Sequence, residues 1–359
     1  MTDRKEWNSW KWQFANRITT AEELDRVLHL SPSEKDNISC CLKNFRMAIT
    51  PYYASLMDPE DPDCPIRRQA VPSILETVRG EFDLDDPLGE VRYNPVPYVV
   101  QRYPDRALLL VTLKCSMYCR HCTRRRVVGE NEEFIIPQPA LDVALDYIRR
   151  HTEIRDVLIS GGDPFVLPTD RLEHIISSVR AIEHVEIIRI GTRVPVVMPM
   201  RIDKELTDML RKYHPLWVNT HFNHPKELTP EAVRACEALA DAGIPLGNQT
   251  VLLKGINDST PVMKELLLKL VKARVRPYYI FQCDLSVGIS HFRVPVQTGI
   301  DIMHDLIGNI SGYAVPKYAV DAPGGGGKVP LNYNYIVSKD DRELTLETYT
   351  GRLYKYPVR

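Results

Sequence analysis

From about residue 107 onward the chain repeats one pattern. A short, nearly continuous apolar run is followed by a stretch with apolar positions three or four residues apart, and the unit recurs at roughly thirty-residue intervals. The apolar runs are Ala107–Leu113, Asp156–Ser160, Val185–Gly191, Leu216–His221, Leu246–Leu253 and Pro277–Cys283. Continuous rather than alternating apolar runs predict parallel strands covered on both faces. Between them, Leu172, Ile175, Ile176 and Val179 keep helical spacing, as do Leu206, Met209, Leu210 and Tyr213. Thr229-Pro230 opens a further helix that Gly243 closes. Six strand–helix units in series mean an α/β protein with a parallel sheet, either an incomplete barrel or a doubly wound fold. Chemistry in such folds gathers where the strands end.

Outside this region the rhythm changes. Residues 1–106 predict a helical N-terminal extension, with helices around Trp7, Trp10, Trp12 and Phe14, over 20–30 and over 66–80, and a loop over 57–65. Residues 107–310 form the alternating region. Residues 311–359 predict a small C-terminal α+β segment with strands over 313–320, 334–338 and 344–349. The 359 residues are 44% hydrophobic and 26% charged with a net charge of −1, enough for a sizeable core. Such a balance argues against nucleic acid or an anionic membrane as partner. No apolar run approaches a membrane span and the N-terminal stretch is charged, which together predict a cytoplasmic protein. Eight cysteines are too few for a disulfide scaffold at this length, and three of them cluster.

Those three are Cys115, Cys119 and Cys122, directly after the first strand of the series. Short spacings let three thiolates converge from one loop on three corners of an iron–sulfur cubane, leaving the fourth iron open to another ligand. A structural zinc made with His121 is the alternative, but such sites more often pair two CxxC knuckles. A glycine pair, Gly161-Gly162, followed by Asp163, ends the next strand. Far downstream, Asp321-Ala-Pro-Gly-Gly-Gly-Gly-Lys328 places a lysine at the tip of a glycine loop. It is not a nucleotide P-loop, because Ala322 stands six positions before the lysine and Val329 follows it. Glycines let the backbone approach a planar ring, and a free lysine amine is what a Schiff base with pyridoxal 5′-phosphate (PLP) requires. The run Arg124-Arg125-Arg126 lacks interleaved aromatics, so internal anion pairing fits it better than nucleic acid.

CxxxCxxC after the first strand, with a glycine pair after the second, resembles the radical S-adenosylmethionine (SAM) superfamily. Beyond these motifs, RMAITPYY (46–53), RYPDR (102–106), CSMYCRHCTRRR (115–126), NTHFNHP (219–225), PLGNQ (245–249), RPYYIFQCDLS (276–286) and DAPGGGGK (321–328) resemble the lysine 2,3-aminomutase family over nearly the whole chain. The resemblance implies a partial (β/α)6 TIM-like barrel and an isomerase. It implies a [4Fe–4S] cluster on Cys115, Cys119 and Cys122, with SAM on its open iron. It also implies PLP on Lys328, and a 5′-deoxyadenosyl radical that starts migration of the lysine amino group from C2 to C3 on the PLP aldimine, giving L-β-lysine. By the same resemblance Arg102, Tyr103 and Arg106 hold the PLP phosphate. Gly161, Gly162 and Asp163 meet SAM, as do His221 and Gln249, both taken to follow strands. Arg124 takes the substrate carboxylate, and Asp284 and Asp321 take its distal ammonium. Two acids facing one ammonium discriminate against glutamate, while arginine or a protein-bound lysine remain alternatives. An electron donor such as flavodoxin or ferredoxin and a homo-oligomeric state are implied too. Longer family members bind zinc through a cysteine-rich tail; here no cysteine follows Cys283 and Ser259 replaces an upstream one, so no structural zinc is expected.

Overall fold

The computed structural model describes residues 3–128 and 135–358. Its main sheet contains nine strands in chain order among the described residues: β1 (Val99–Tyr103), β2 (Arg106–Thr112), β3 (Asp156–Gly161), β4 (Ile187–Gly191), β5 (Leu216–Thr220), β6 (Leu246–Leu252), β7 (Arg276–Gln282), β8 (Lys317–Ala322) and β9 (Gly327–Pro330). Strands β2 to β8 run parallel, each beside its sequence neighbour, while β1 and β9 turn back antiparallel at the two edges. The fold is the expected partial barrel, and all six predicted strands are present. The sheet nonetheless crosses both expected boundaries, at 106 and at 310. The strand predicted over 313–320 pairs parallel with β7 as a seventh barrel strand, and β1 arises in what reads as a helical extension.

Burial alternates more than the apolar runs suggest. In β3, Val157 and Ile159 are buried against the outer helices, while Leu158 and Ser160 face the lumen. An open barrel leaves its inner face free for ligands, so only one face of each strand is packed to full density. The outer helices Gln138–Arg150, Thr169–Arg180, Pro230–Asp241, Thr260–Lys272 and Val296–Leu306 bury one stripe each. Thr229 caps the third of these as its spacing predicts, and Gly243 follows its end at φ 80°.

The N-terminal residues form short helices, Arg4–Trp7, Trp10–Ala15 and Ala21–Leu28 among them. Over 66–80, where one helix is expected, there are only the turns Pro65–Arg68 and Ile74–Thr77, because Pro72 interrupts the run. The buried segment around Thr50–Tyr53 docks this extension on the barrel. Thr50 Oγ1 donates to the Val197 carbonyl at 2.5 Å, and Tyr53 OH donates to Glu227 at 2.7 Å. At the other end, β10 (Ile336–Lys339), β11 (Glu343–Glu347) and β12 (Leu353–Pro357) make a separate antiparallel sheet. It rests on the barrel through His304 against Tyr333, with ring centroids 4.3 Å apart, and through Tyr349 against Gly308.

Candidate active site

A cavity of about 400 Å³ opens at the C-terminal ends of the barrel strands. Every site residue singled out from the sequence lines it. Cys115, Cys119, Cys122, Gly161, Gly162, Asp163, Arg124, His221 and Gln249 lie toward one end, and Arg102, Tyr103, Arg106, Asp284, Asp321 and Lys328 toward the other.

At the first end, the loop after β2 carries the three cysteines. It is pinned by backbone bonds from Tyr118 N to the Ala48 carbonyl and from Arg120 N to the Gln69 carbonyl, both 3.0 Å. The end of β3 crosses directly beneath it: Gly162 N donates to Thr112 O at 2.6 Å and Asp163 N to Lys114 O at 2.7 Å. A Cβ on Gly161 would lie 2.3 Å from Thr112 O, and one on Gly162 would lie 2.2 Å from Lys114 O. Backbone crossing, as well as any ligand, therefore demands the glycine pair. The Asp163 carboxylate is taken up inside the protein, accepting from Phe165 N at 3.1 Å, Thr192 Oγ1 at 2.6 Å and Arg193 N at 2.7 Å. Its position under the β4 loop is that of a brace, and burial pushes its carboxyl up. His221 follows β5, whereas Gln249 sits within β6 with its backbone bonded to the His221 ring. Burial, then the Arg193 charge, push His221 down to about 4, so its ring is neutral at physiological pH.

The second end is built from two edge hairpins that meet across the barrel's opening. Asp321 on β8 and Lys328 on β9 are register partners, and Lys328 Nζ lies 3.1 Å from Asp321 Oδ2. Arg102 of β1 donates to the other side of the same carboxylate at 2.7 Å, and Lys328 N donates to Tyr103 OH at 2.9 Å. These contacts join the first hairpin to the last. They also pair two residues to which the resemblance assigns different duties, with Arg102 giving Asp321 its Nη2. Arg106 pairs with Asp105 through Nε and Nη2, and its Nη1 makes no hydrogen bond among the described residues. The Lys328 amine stands 5.0 Å over the Phe281 ring, itself stacked on Tyr279. Asp284, just past β7, has no hydrogen bond or ion pair to its carboxylate among the described residues. Burial, reinforced by Asp321, pushes it up to about 7 despite Lys328 and Arg102 nearby.

Two features lie outside the motifs of the sequence. Arg193, after β4, is buried and donates to Glu227 at 2.8 Å, to Gln69 at 2.6 Å and to Cys119 Sγ at 2.8 Å. Glu227 in turn is wholly buried and accepts from Asn223 N at 2.6 Å and His224 N at 3.0 Å. His224 is therefore part of a capping turn. A charged residue at the C-terminal end of a predicted strand was the one visible clue to Arg193. The second feature is the segment 83–93, which crosses the cavity mouth with Glu90 against Arg124.

The donor sets fit the cofactors implied. Burial pushes the Cys115 thiol well up and Cys122 up to about 11, so both need a metal's positive charge to ionise. Among the described residues no three His, Cys, Asp or Glu side chains close on a single ion. The three cysteines line one cavity, and a cubane would take each thiolate on a different iron. At the other end, a lysine amine beside Tyr103 and two arginines suits a phosphorylated aldehyde.

Comparison with known proteins agrees on both ends. The model of the radical SAM superfamily matches residues 109–267, and a lysine-2,3-aminomutase model matches residues 303–358. The L-lysine 2,3-aminomutase of Clostridium subterminale is 55% identical over 351 residues, 98% of this chain and 84% of the relative. That of Acetoanaerobium sticklandii is 56% identical over 353 residues, 98% and 85%. A glutamate 2,3-aminomutase of Clostridioides difficile is 48% identical over 351 residues, 98% and 83%. Radical generator, lysine-bearing hairpin and whole-chain similarity coincide, and this chain belongs to the lysine 2,3-aminomutase family of radical SAM enzymes.

Proposed function

We propose that the protein interconverts L-lysine and L-β-lysine, with the residues in the roles that follow. When bound, the cluster and SAM supply a 5′-deoxyadenosyl radical and PLP supplies the ring that carries the migrating nitrogen. Cys115, Cys119 and Cys122 ligate the cluster, and the Gly161-Gly162 turn and His221 border the SAM position. Lys328 would hold the PLP aldehyde and Arg102 and Arg106 its phosphate, while Tyr103 fixes the lysine's backbone. Arg124 grips the substrate carboxylate.

The observation that carries the choice of lysine is the pair Asp284 and Asp321 in one cavity with Lys328. Asp284 is a buried carboxylate without a partner among the described residues, which a substrate ammonium neutralises and an anionic side chain would aggravate. An anaerobic competition among lysine, arginine and glutamate, with products resolved by NMR, tests it. β-Lysine should dominate; faster turnover of glutamate or arginine overturns the assignment.

One-electron reduction of the cluster calls for a donor such as flavodoxin or ferredoxin. We infer a homo-oligomer, because Val337, Leu353, Tyr354 and Tyr356 leave the β10–β12 sheet apolar and exposed. A cytoplasmic location is supported by eight free cysteines, and among the described residues no helix is long and apolar enough to cross a membrane.

A further inference from the structure

The segment 83–93 is tied to every part of the substrate end. Asp83 pairs with Arg293, and Leu84 N donates to Leu285 O at 2.6 Å, one residue past Asp284. Asp86 pairs with Arg126 at 2.9 Å, and Glu90 accepts from Arg124 Nε at 2.8 Å. Pro87 O accepts from Gly324 N at 3.0 Å, inside the glycine loop that ends in Lys328. Gly89 lies so close to that loop that a Cβ would stand 2.9 Å from Gly324 O. One strap therefore joins the arginine cluster beside the cysteines to the lysine hairpin.

Within the strap, Glu90 has the most specific geometry. Its side chain is only 10% exposed, and its second oxygen lies 3.4 Å from Arg126 Nη2. It engages Arg124 only at Nε, and the Nη1 and Nη2 groups of Arg124 make no hydrogen bond among the described residues. A guanidinium held at one corner by a fixed carboxylate has a single orientation left. Here the unused edge is the one suited to a second carboxylate, with two parallel N–H donors.

We propose that Glu90 is a positioning residue for recognition of the substrate's α-carboxylate: it fixes Arg124 so that Nη1 and Nη2 grip that group, and Pro87–Gly324 sets the distance from this grip to Lys328. The proposal rests on Arg124 being the carboxylate ligand. It deepens the assigned activity by requiring a free carboxylate, so lysine linked into a protein through that group is not a substrate.

The test is equilibrium binding of lysine and of lysinamide, whose carboxylate is a neutral amide, to the unreduced protein loaded with SAM and PLP. Calorimetry reads the ratio of the two affinities without turnover. The parent should prefer lysine by about a hundredfold, the scale of a bidentate charge-assisted pair. Glu90→Gln keeps an acceptor at Nε and should hold that preference within about threefold. Glu90→Asp keeps the charge but withdraws the acceptor by a methylene, and Glu90→Ala removes it; both should cut the preference about tenfold. A residue that only stabilised the strap would lower melting temperatures without moving the ratio. Should the alanine variant not fold, the aspartate variant decides: an unchanged ratio there overturns the proposal. Arg124→Ala separates the two layers. If it leaves the preference intact, the reading of Arg124 falls; if it abolishes the preference while Glu90→Asp does not touch it, only the role of Glu90 falls.

Discussion

The two ends of the cavity are built on opposite electrostatic principles. Around the cysteines, each buried charge described has a partner: Arg193 meets Glu227 and Cys119, Glu76 meets Arg120 and Arg125, and Asp163 accepts three hydrogen bonds. Around Lys328, charges crowd without closing their pairs: Asp321 serves both Arg102 and Lys328, and Asp284 serves none among the described residues. The first arrangement resists motion, which suits a site that must survive handling a radical. The second stores unfavourable burial that a cationic substrate relieves. Substitutions should therefore damage folding at one end and substrate handling at the other.

The largest effect should come from Lys328→Ala. Removing the amine that anchors PLP should lower turnover by roughly a thousandfold or more. The sulfide-to-iron absorbance of the reconstituted cluster should persist, because no cysteine-loop contact depends on Lys328. Loss of the cluster band along with the PLP band would mean that the two ends are not independent. At the other end, Arg193→Leu leaves the wholly buried Glu227 without its counter-ion, with only the Tyr53, Asn223 and His224 donors, which should cost about 3 kcal/mol of stability in anaerobic denaturation. A loss of activity with unchanged stability would break the contrast.

The same contrast explains what the sequence made legible. Strands β2 to β7 were readable because outer helices cover one face of each and the lumen keeps enough apolar residues to hide the alternation. Motifs that use rare residue types at fixed spacing, three cysteines or four glycines and a lysine, announced themselves. Arg193 and Glu227 did not, because a buried ion pair joins residues 34 apart whose types look like surface charges until the fold brings them together. Glu90 and Asp86 are equally silent, in a stretch between the helix expected over 66–80 and the first apolar run that carries no motif. β1 and β8 read as parts of the flanking segments because neither is followed by a helix: β1 turns straight into β2 and β8 into β9. Asp163 was visible, but its three internal partners were not, so its bracing role under the β4 loop emerged only from the structure.

Asp284→Asn sharpens the comparison further. Lysine kcat/KM should fall about a hundredfold, while uncoupled SAM cleavage without lysine stays within about threefold. An equal fall in both would move Asp284 out of the substrate site and into the machinery of the other end.

The smallest effect is also the most diagnostic, because its sign opposes the usual outcome of a core substitution. The Asp284 carboxyl stands at about 7 in the folded protein against an ordinary 3.8. Between those values the folded state holds a proton that the unfolded chain has released. Stability contributed by this group is therefore lost as pH rises through that interval, and above pH 7 the ionised carboxylate opposes folding. Asp284→Asn carries no such charge, so at pH 8 it should be more stable than the parent by about 1–2 kcal/mol, and the difference should shrink toward pH 5. Lysine affinity should show the mirror image. Only the ionised carboxylate attracts the ammonium, so the parent's KM should rise about tenfold per unit below pH 7 and level off above it, while the variant stays flat. A variant less stable than the parent at pH 8 would mean that Asp284 already has a partner, and that the substrate end is as fully paired as the cluster end.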